Sequence, residues 1–471
     1  MVFFVVVVSP NGAINCSPVG AESNIWQSSA HWLLFLRKAH SIVESRSLFH
    51  RYFIQFDYTL LLVMLLATAL GLLALYGTTY EVPGMKHYYP QQVQWCLVSL
   101  VVFVLAVAMP YRWFKGIGWA AYGISLVLLA LLLIAKRIHP GIVDAVAGGG
   151  AMSWFKISVG GTSIRFQPSE YAKITTVIVT AHYLAWRHHK LGNPLECIPP
   201  LLLMLVPLVL IFKEPDLGGS VILLPIPFVL LFVAGVRWWM VLTATITGLV
   251  LLLGGAFYCA NAETIPGLRA YQEARIRVFL TPIAQPFILP GVEETLYRGA
   301  GDKKGEAFIQ KMTPEEKRKW ESEKWNIDQA EMALGSGQIF GKGWCQGTQS
   351  RYRFLPEHHT DFIFSSLGEQ FGLVGCFTLL FLYALLTFRA LLTATRTTDP
   401  FGKYLCVGLI TLFLTHAFMN IGMSTRLLPV TGCPLPLASY GGSFMVANYL
   451  ILGLIVNVAM RREENRSMAR E

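Results

Sequence analysis

The chain has 471 residues, 54% of them hydrophobic and 14% charged, with a formal net charge of +10. At a mean hydropathy of +0.50 this balance excludes an ordinary soluble multidomain protein and points to an all-α integral membrane fold. Nor does the positive charge argue for nucleic acid, because Lys and Arg fall in short clusters between apolar runs, as in the cytoplasmic loops of a protein surrounded by membrane lipid.

The stretch from Met1 to Val8 is apolar but lacks a cationic leader and is too short to cross a bilayer, so it does not read as a signal peptide. Residues 1–57 are read as a cytoplasmic N-terminal extension. From residue 58, apolar runs of about twenty residues predict about ten transmembrane helices. Their centres fall near Leu65, Val102, Val127, Val177, Leu205, Pro227, Leu249, Phe377, Leu412 and Leu452. This membrane domain covers 58–460 and leaves 461–471 as a basic cytoplasmic tail.

Lys and Arg set the orientation. Arg37, Lys38, Arg46 and Arg51, then Arg112 and Lys115, Arg187 and Lys190, Arg237, Arg389, Arg396 and Lys403, and finally Arg461 and Arg462 mark one side as cytoplasmic. The loops 136–169, 261–362 and 424–437 then lie outside. The largest, of about a hundred residues between the seventh and eighth spans, is long enough to expect a function of its own. Within it Thr313-Pro314-Glu315-Glu316 predicts a capped helix running toward Trp325.

The eight cysteines stand singly, so neither a disulfide framework nor a zinc site is expected. Ionisable side chains near the bilayer are costly and mark the positions to question. The densest outer stretch runs from Gly341 to Phe362, where Lys342, Arg351 and Arg353 can meet phosphate oxygens and Asp361 stands where the eighth span begins. Asp361 equally suits a helix N-terminal acid favoured by the dipole. Glu369, about 12 Å deeper on a helix, suits an interhelical hydrogen bond. Glu170 and Lys173 are close enough on one helix to pair. Adjacent His358 and His359 read as solvated loop residues rather than metal ligands.

Several segments carry a more specific match. They are Phe166-Gln167-Pro168-Ser169-Glu170-Tyr171-Ala172-Lys173, Glu214-Pro215-Asp216-Leu217-Gly218, Tyr271-Gln272 with Arg275, Gly347-Thr348-Gln349-Ser350, His359-Thr360-Asp361-Phe362-Ile363-Phe364, and Pro434 to Ser443. In this order they resemble the SEDS family of shape, elongation, division and sporulation proteins, over residues 58–460. Gly347 to Ser350 and Asn420-Ile421-Gly422-Met423 resemble its rod-shape branch more than its division branch.

The resemblance implies a peptidoglycan glycosyltransferase that polymerises lipid II, the undecaprenyl-pyrophosphate disaccharide-pentapeptide, on the outer face of the bacterial cytoplasmic membrane, for cell elongation and shape. It also implies a class B penicillin-binding protein as crosslinking partner. Asp361 becomes the expected general base of an inverting transfer, with Glu170, Lys173, Gln349 and Ser350 in the substrate site. Lys342, Arg353 and Arg269, or a divalent cation such as Mg or Mn, are expected to stabilise the departing pyrophosphate. A flippase for a lipid-linked precursor and a noncatalytic cell-wall scaffold are the alternatives. The chain departs from the family at Met152-Ser153-Trp154, where a basic pair is usual, at Arg426, where a small or apolar residue is expected, and in an extra loop segment at about 287–325.

Overall fold

A computed structural model describes residues 4–8, 14–18, 55–80, 82–138, 143–144, 154–159, 162–188, 194–214, 216–237, 239, 242–243, 246, 250, 314–428 and 430–462. The expected span around Leu249, Arg269, and most of the segment 287–325 lie outside these residues. The chain divides into two compact units, Met1–Phe56 and Asp57–Glu471. In the first, β1 (Phe4–Val8) pairs antiparallel with β2 (Ile14–Pro18). Consecutive valines favour such an extended conformation.

The second unit is helical. Its elements are α1 (Tyr58–Thr79), α2 (Tyr88–Ala108), α3 (Phe114–Ile138), α4 (Pro168–Trp186), α5 (Ile198–Lys213), α6 (Leu217–Val221), α7 (Pro225–Val233), α8 (Pro314–Ser336), α9 (Thr348–Arg351), α10 (Ile363–Arg396), α11 (Pro400–Ser424) and α12 (Gly442–Met460). Seven helices among the described residues are long and apolar enough to cross a membrane: Tyr58–Thr79, Tyr88–Ala108, Tyr111–Ala135, Leu195–Lys213, Ile363–Arg396, Pro400–Ser424 and Gly442–Met460. The expected span at Val177 is α4, 19 residues long and mostly buried. That at Pro227 falls on a shorter apolar stretch, Gly218–Val233.

Position in the bundle explains why α4 is the less apolar. It packs against α3, α5 and α11, so its Thr175, Thr176, Lys173 and Glu170 face protein rather than lipid. By contrast, α2 and α3 expose Leu97, Val101, Leu105, Ile124 and Val127, as lipid-facing helices should. Small residues permit the closest crossings. A β-carbon on Gly453 of α12 would meet Ala106 and Phe103 of α2 at 3.0–3.1 Å.

At one end of the bundle the helix termini are satisfied by side chains, as a terminus without water requires. Asp57 caps α1 through Leu60 N at 3.0 Å and pairs with Arg389 at 2.8 Å. Asp399 caps α11, where Pro400 is the first helical residue. The last carbonyls of α2 accept from α12: Asn457 donates to Ala106 and Val107, and Arg461 to Val107 and Ala108. Each of these carbonyls, left buried and unpaired, would cost about 1–3 kcal/mol.

At the other end an unforeseen sheet joins α3 to α4. Here β3 (Val143–Asp144), β4 (Trp154–Val159) and β5 (Thr162–Phe166) run antiparallel, with Phe155 opposite Phe166. The predicted loop helix is α8, which starts at Pro314 as the capping pattern requires but continues past Trp325 to Ser336.

A second unforeseen feature is a break in α10 at Gly372, where φ is +63° and ψ is −158°. The freed amides of Leu373 and Val374 donate to Gln338 O and Ile339 O at 2.8 and 3.1 Å. In return Glu369 O and Gln370 O accept from Lys342 N and Gly343 N at 2.9 and 3.1 Å. The loop after α8 is thus mated to the broken helix, which is how non-helical backbone at membrane depth is tolerated. A side chain at Gly372 would be strained by its φ and would press against Gly341 N.

Candidate active site

The first part of the site lies inside the helices. Glu170 and Lys173 stand one turn apart on α4, with Lys173 Nζ 2.7 Å from Glu170 Oε1. Lys173 is fully buried, and its ammonium also meets His416 Nε2 of α11 at 2.9 Å. His416 Nδ1 lies 3.0 Å from the Leu412 carbonyl. His416 Nε2 also lies 3.4 Å from Glu170 Oε2, so the three side chains form one buried cluster. The buried ammonium is answered by the Glu170 carboxylate, the pairing that lets a charge survive out of water. Asp216 lies close enough to feel the charges of Lys173, Glu170 and His416, and it caps α6 through Gly219 N at 2.7 Å.

The second part is a ledge that carries Asp361, in the turn just before α10. Asp361 N–H donates to Glu357 O at 3.0 Å, closing the turn. Three consecutive carbonyls are gripped from the α11–α12 side. His359 O accepts from Tyr440 N at 2.9 Å, Thr360 O from Ser439 Oγ at 2.5 Å, and Asp361 O from Asn420 Nδ2 at 2.7 Å. Gln92 of α2 ties the same loop down, donating to Ser439 O and accepting from Gly441 N, both at 3.1 Å. A β-carbon on Gly432 would touch Asp361 Oδ2 at 3.4 Å, so the carboxylate lies over that glycine, whose φ is +71°.

Aromatic rings wall the ledge. Tyr88 stacks on His359 with centroids 4.4 Å apart and meets Tyr440 edge-on at 4.8 Å. Burial, reinforced by the positive potential of His358 and His87, brings the His359 pKa down to about 3, so the ring is neutral. His358 is lowered too, first by burial. The expectation that these histidines are solvated is corrected: both are buried, because the turn packs inward under α2 and the α11–α12 loop. Arg165 on β5 is exposed and near enough to Tyr440 for its charge to act on the phenol.

The remaining predicted residues gather around Glu369 instead. Glu369 is completely buried, and its Oε1 accepts from Lys342 Nζ at 2.8 Å, Thr348 Oγ1 at 3.1 Å and Gln349 N at 3.0 Å. Ser350 Oγ meets Ser366 Oγ at 3.3 Å, and Ser366 donates to His358 O at 3.4 Å, which links this corner to the ledge. Arg353 donates to Pro83 O in the connection between α1 and α2. The unexpected Arg426 pairs with Asp328 and with Glu331, at 3.1 Å for the latter, clamping α8 to the end of α11. Beneath that clamp Ala330, Ala333, Leu355, Phe362 and Met423 form one apolar cluster.

The structure thus joins Glu170 to Lys173 and groups Lys342, Gln349 and Ser350 around Glu369, while Arg353 lies with the α1–α2 connection. His416, Gln92 and Gly432 were not singled out from sequence, and Tyr88 stood out only, with Tyr89, as an aromatic at the end of an apolar run. Of the first three only His416 carried a signal, as a lone ionisable residue within an apolar run.

The family model described as "Cell cycle protein" (FtsW, RodA and SpoVE) matches residues 57–298 and 303–464. Peptidoglycan glycosyltransferase MrdB of Escherichia coli strain K12 is 31% identical over 422 residues, covering 87% of this chain and 95% of that protein. Peptidoglycan glycosyltransferase RodA of Treponema pallidum strain Nichols is 29% identical, with coverage of 86% and 98%. Among solved structures, one described as "structural coordination of polymerization and crosslinking by a peptidoglycan synthase complex" aligns with a TM-score of 0.64 and 26% identity, over 86% of this chain and 98% of that one. The crystal structure of Thermus thermophilus rod shape determining protein RodA shares the fold, with a TM-score of 0.55 and 24% identity over 86% and 97%.

Proposed function

From the premise that the chain belongs to the SEDS family and is a peptidoglycan glycosyltransferase, we propose that it polymerises lipid II with Asp361 as general base. Asp361, ionised, takes the proton from the acceptor sugar hydroxyl as that oxygen attacks the anomeric carbon of the donor. The donor's bond to pyrophosphate breaks with inversion, and polyprenyl pyrophosphate departs. General-base assistance of this kind contributes about 10²–10⁴-fold.

The observation that carries the reading is the held geometry of the ledge: a half-buried carboxylate whose own carbonyl and the two before it are fixed from one side. Pre-organised backbone lets the side chain meet a hydroxyl without reorganising. Arg165, exposed near Tyr440, supplies positive potential toward a leaving pyrophosphate. Lys342 is engaged by Glu369 and Thr348, so we assign it to holding the Gln349–Ser350 segment in place. Among the described residues no three His, Cys, Asp or Glu side chains converge on a point where a metal ion would sit. The described residues therefore form no cluster of three such metal ligands, and no step is routed through a metal ion.

Helix length supports an outward-facing site in the cytoplasmic membrane. Counting about 30 Å of hydrocarbon from the Arg389–Asp57 pair at 1.5 Å per residue brings its outer limit near Glu369. Asp361 then stands just beyond lipid, where a sugar anchored by its polyprenyl tail would lie. A crosslinking transpeptidase is the partner we propose, on the strength of the peptidoglycan synthase complex that shares this fold.

Purified protein should extend lipid II into glycan strands on a gel, and Asp361→Asn should not; strand formation by that variant at the parental rate would remove Asp361 from the chemistry. Movement of labelled lipid II across vesicles without strands would favour the flippase reading.

A further inference from the structure

The three carbonyls that hold the ledge are gripped by groups of unequal rigidity. Tyr440 N and Ser439 Oγ belong to the loop between α11 and α12, whereas Asn420 belongs to a membrane helix. Asn420 is fully buried. Its amide nitrogen donates to Asp361 O and to Cys433 O, both at 2.7 Å. Both amide protons are therefore spent on carbonyls from two different segments, which would otherwise face each other without a donor between them. Its Oδ1 is buried and meets no hydrogen-bond partner. That atom's cost is accepted so that the nitrogen faces the two carbonyls.

The second carbonyl leads to the floor of the site. Cys433 follows Gly432, over which the Asp361 carboxylate lies, and the same segment abuts α6: a β-carbon on Gly218 would strike Cys433 Sγ and Thr431. One turn earlier on α11, His416 reaches the Glu170–Lys173 pair. A single helix face therefore holds both parts of the site, about 6 Å apart along its axis.

We propose that Asn420 is a positioning residue for the glycosyl transfer: it rivets the Asp361 backbone to the Gly432–Cys433 floor and so fixes where the carboxylate meets the acceptor hydroxyl. This rests on Asp361 being the base. Asn420 makes no demand on substrate affinity, so its contribution belongs to turnover, and a misplacement of about 1 Å at a reacting group costs about 10²-fold.

The test uses the full-length protein in detergent or proteoliposomes, with kcat and KM for lipid II expressed per folded molecule. Asn420→Leu keeps the branched outline and heavy-atom count and removes both donors; we expect kcat to fall about 10–100-fold with KM within about twofold. Asn420→Ser keeps one donor and should lie between Leu and the parent. Gly432→Ala, at an exposed position, strains a backbone whose φ is +71° and sets a methyl against Oδ2, so by shifting the floor under the carboxylate it should lower kcat from the opposite side. Asn420→Leu turning over at the parental rate, a change confined to KM, or a loss that tracks only the folded fraction would overturn the proposal. Should the Asn420 variants not fold, an unchanged kcat in Gly432→Ala would overturn it. Asp361→Asn run in parallel separates the two readings: if it polymerises normally the base assignment fails, whereas an inactive Asp361→Asn beside a fully active Asn420→Leu defeats this inference alone.

Discussion

Glu369 and Asp361 are acids on one stretch of chain, and their surroundings differ in kind. Glu369 is sealed inside the protein, one oxygen collecting an ammonium, a hydroxyl and a backbone amide. At Asp361 it is the backbone that is pinned, while the carboxylate lies half-buried over a glycine that adds no bulk. A carboxylate wrapped by its own chain's donors ties loops together and offers little to a substrate. One whose main chain is pinned just outside the helix start, with its side chain half-buried there, is arranged to work on something arriving from outside.

The sharpest way to break this contrast is to neutralise each acid without changing its shape. Asp361→Asn should lower lipid II polymerisation by about 10²–10⁴-fold, with a melting temperature within about 2 °C of the parent. Glu369→Gln should do the reverse. Losing charge-assisted hydrogen bonds worth about 1.5–3 kcal/mol lowers the melting temperature by several degrees, while folded molecules keep kcat within a few-fold. If the two variants exchange phenotypes, the distinction between them collapses.

A smaller effect tests the link between the two regions. Gly372→Ala forces a side chain into a left-handed backbone against Gly341. It should destabilise the protein by about 1–3 kcal/mol and raise hydrogen exchange at Lys342, Gly343, Leu373 and Val374, with unchanged exchange at Asp361 and Tyr440.

Acid distinguishes the regions further. His359 has a pKa of about 3 when folded, below the usual 6.5, so as pH falls below 6.5 the unfolded chain binds a proton that the folded ledge refuses. Stability is thus intact above 6.5 and drains away as pH falls toward 3, by at most about 1.4 kcal/mol per pH unit for this group. Melting temperature against pH should show that slope, and His359→Phe should flatten part of it. The mildest perturbation is Arg426→Ala. Its half-exposed ion pairs are worth about 1 kcal/mol together, and the readout is faster exchange along 325–336 with polymerisation largely retained.

Much of the fold was legible because lipid imposes a simple code: apolar runs of the right length, to which a capping pattern adds a helix opening at Pro314 where it should. The Glu170–Lys173 pair was legible too, since helical spacing alone brings the two together. The break at Gly372 was not. It contains no proline, and its hydrogen bonds come from about thirty residues earlier in the chain, a separation that local pattern does not encode. Arg426 looked out of place until Asp328 and Glu331 of α8 appeared beside it. Lone polar residues such as His416 and Asn420 announce themselves in an apolar run, but whom they bond is settled only by packing.

The exchange of backbone bonds at Gly372 also bears on how the molecule is made. Residues 338–343 leave the ribosome before α10, so the template that completes the interrupted span is synthesised first. On the outward topology proposed above, that template has already been translocated when the span arrives. Insertion of the later span then finishes by docking onto chain already delivered. A chain lacking that preceding stretch but retaining α10 would leave carbonyls and amides bare at the lipid surface, a form that quality-control proteases should clear.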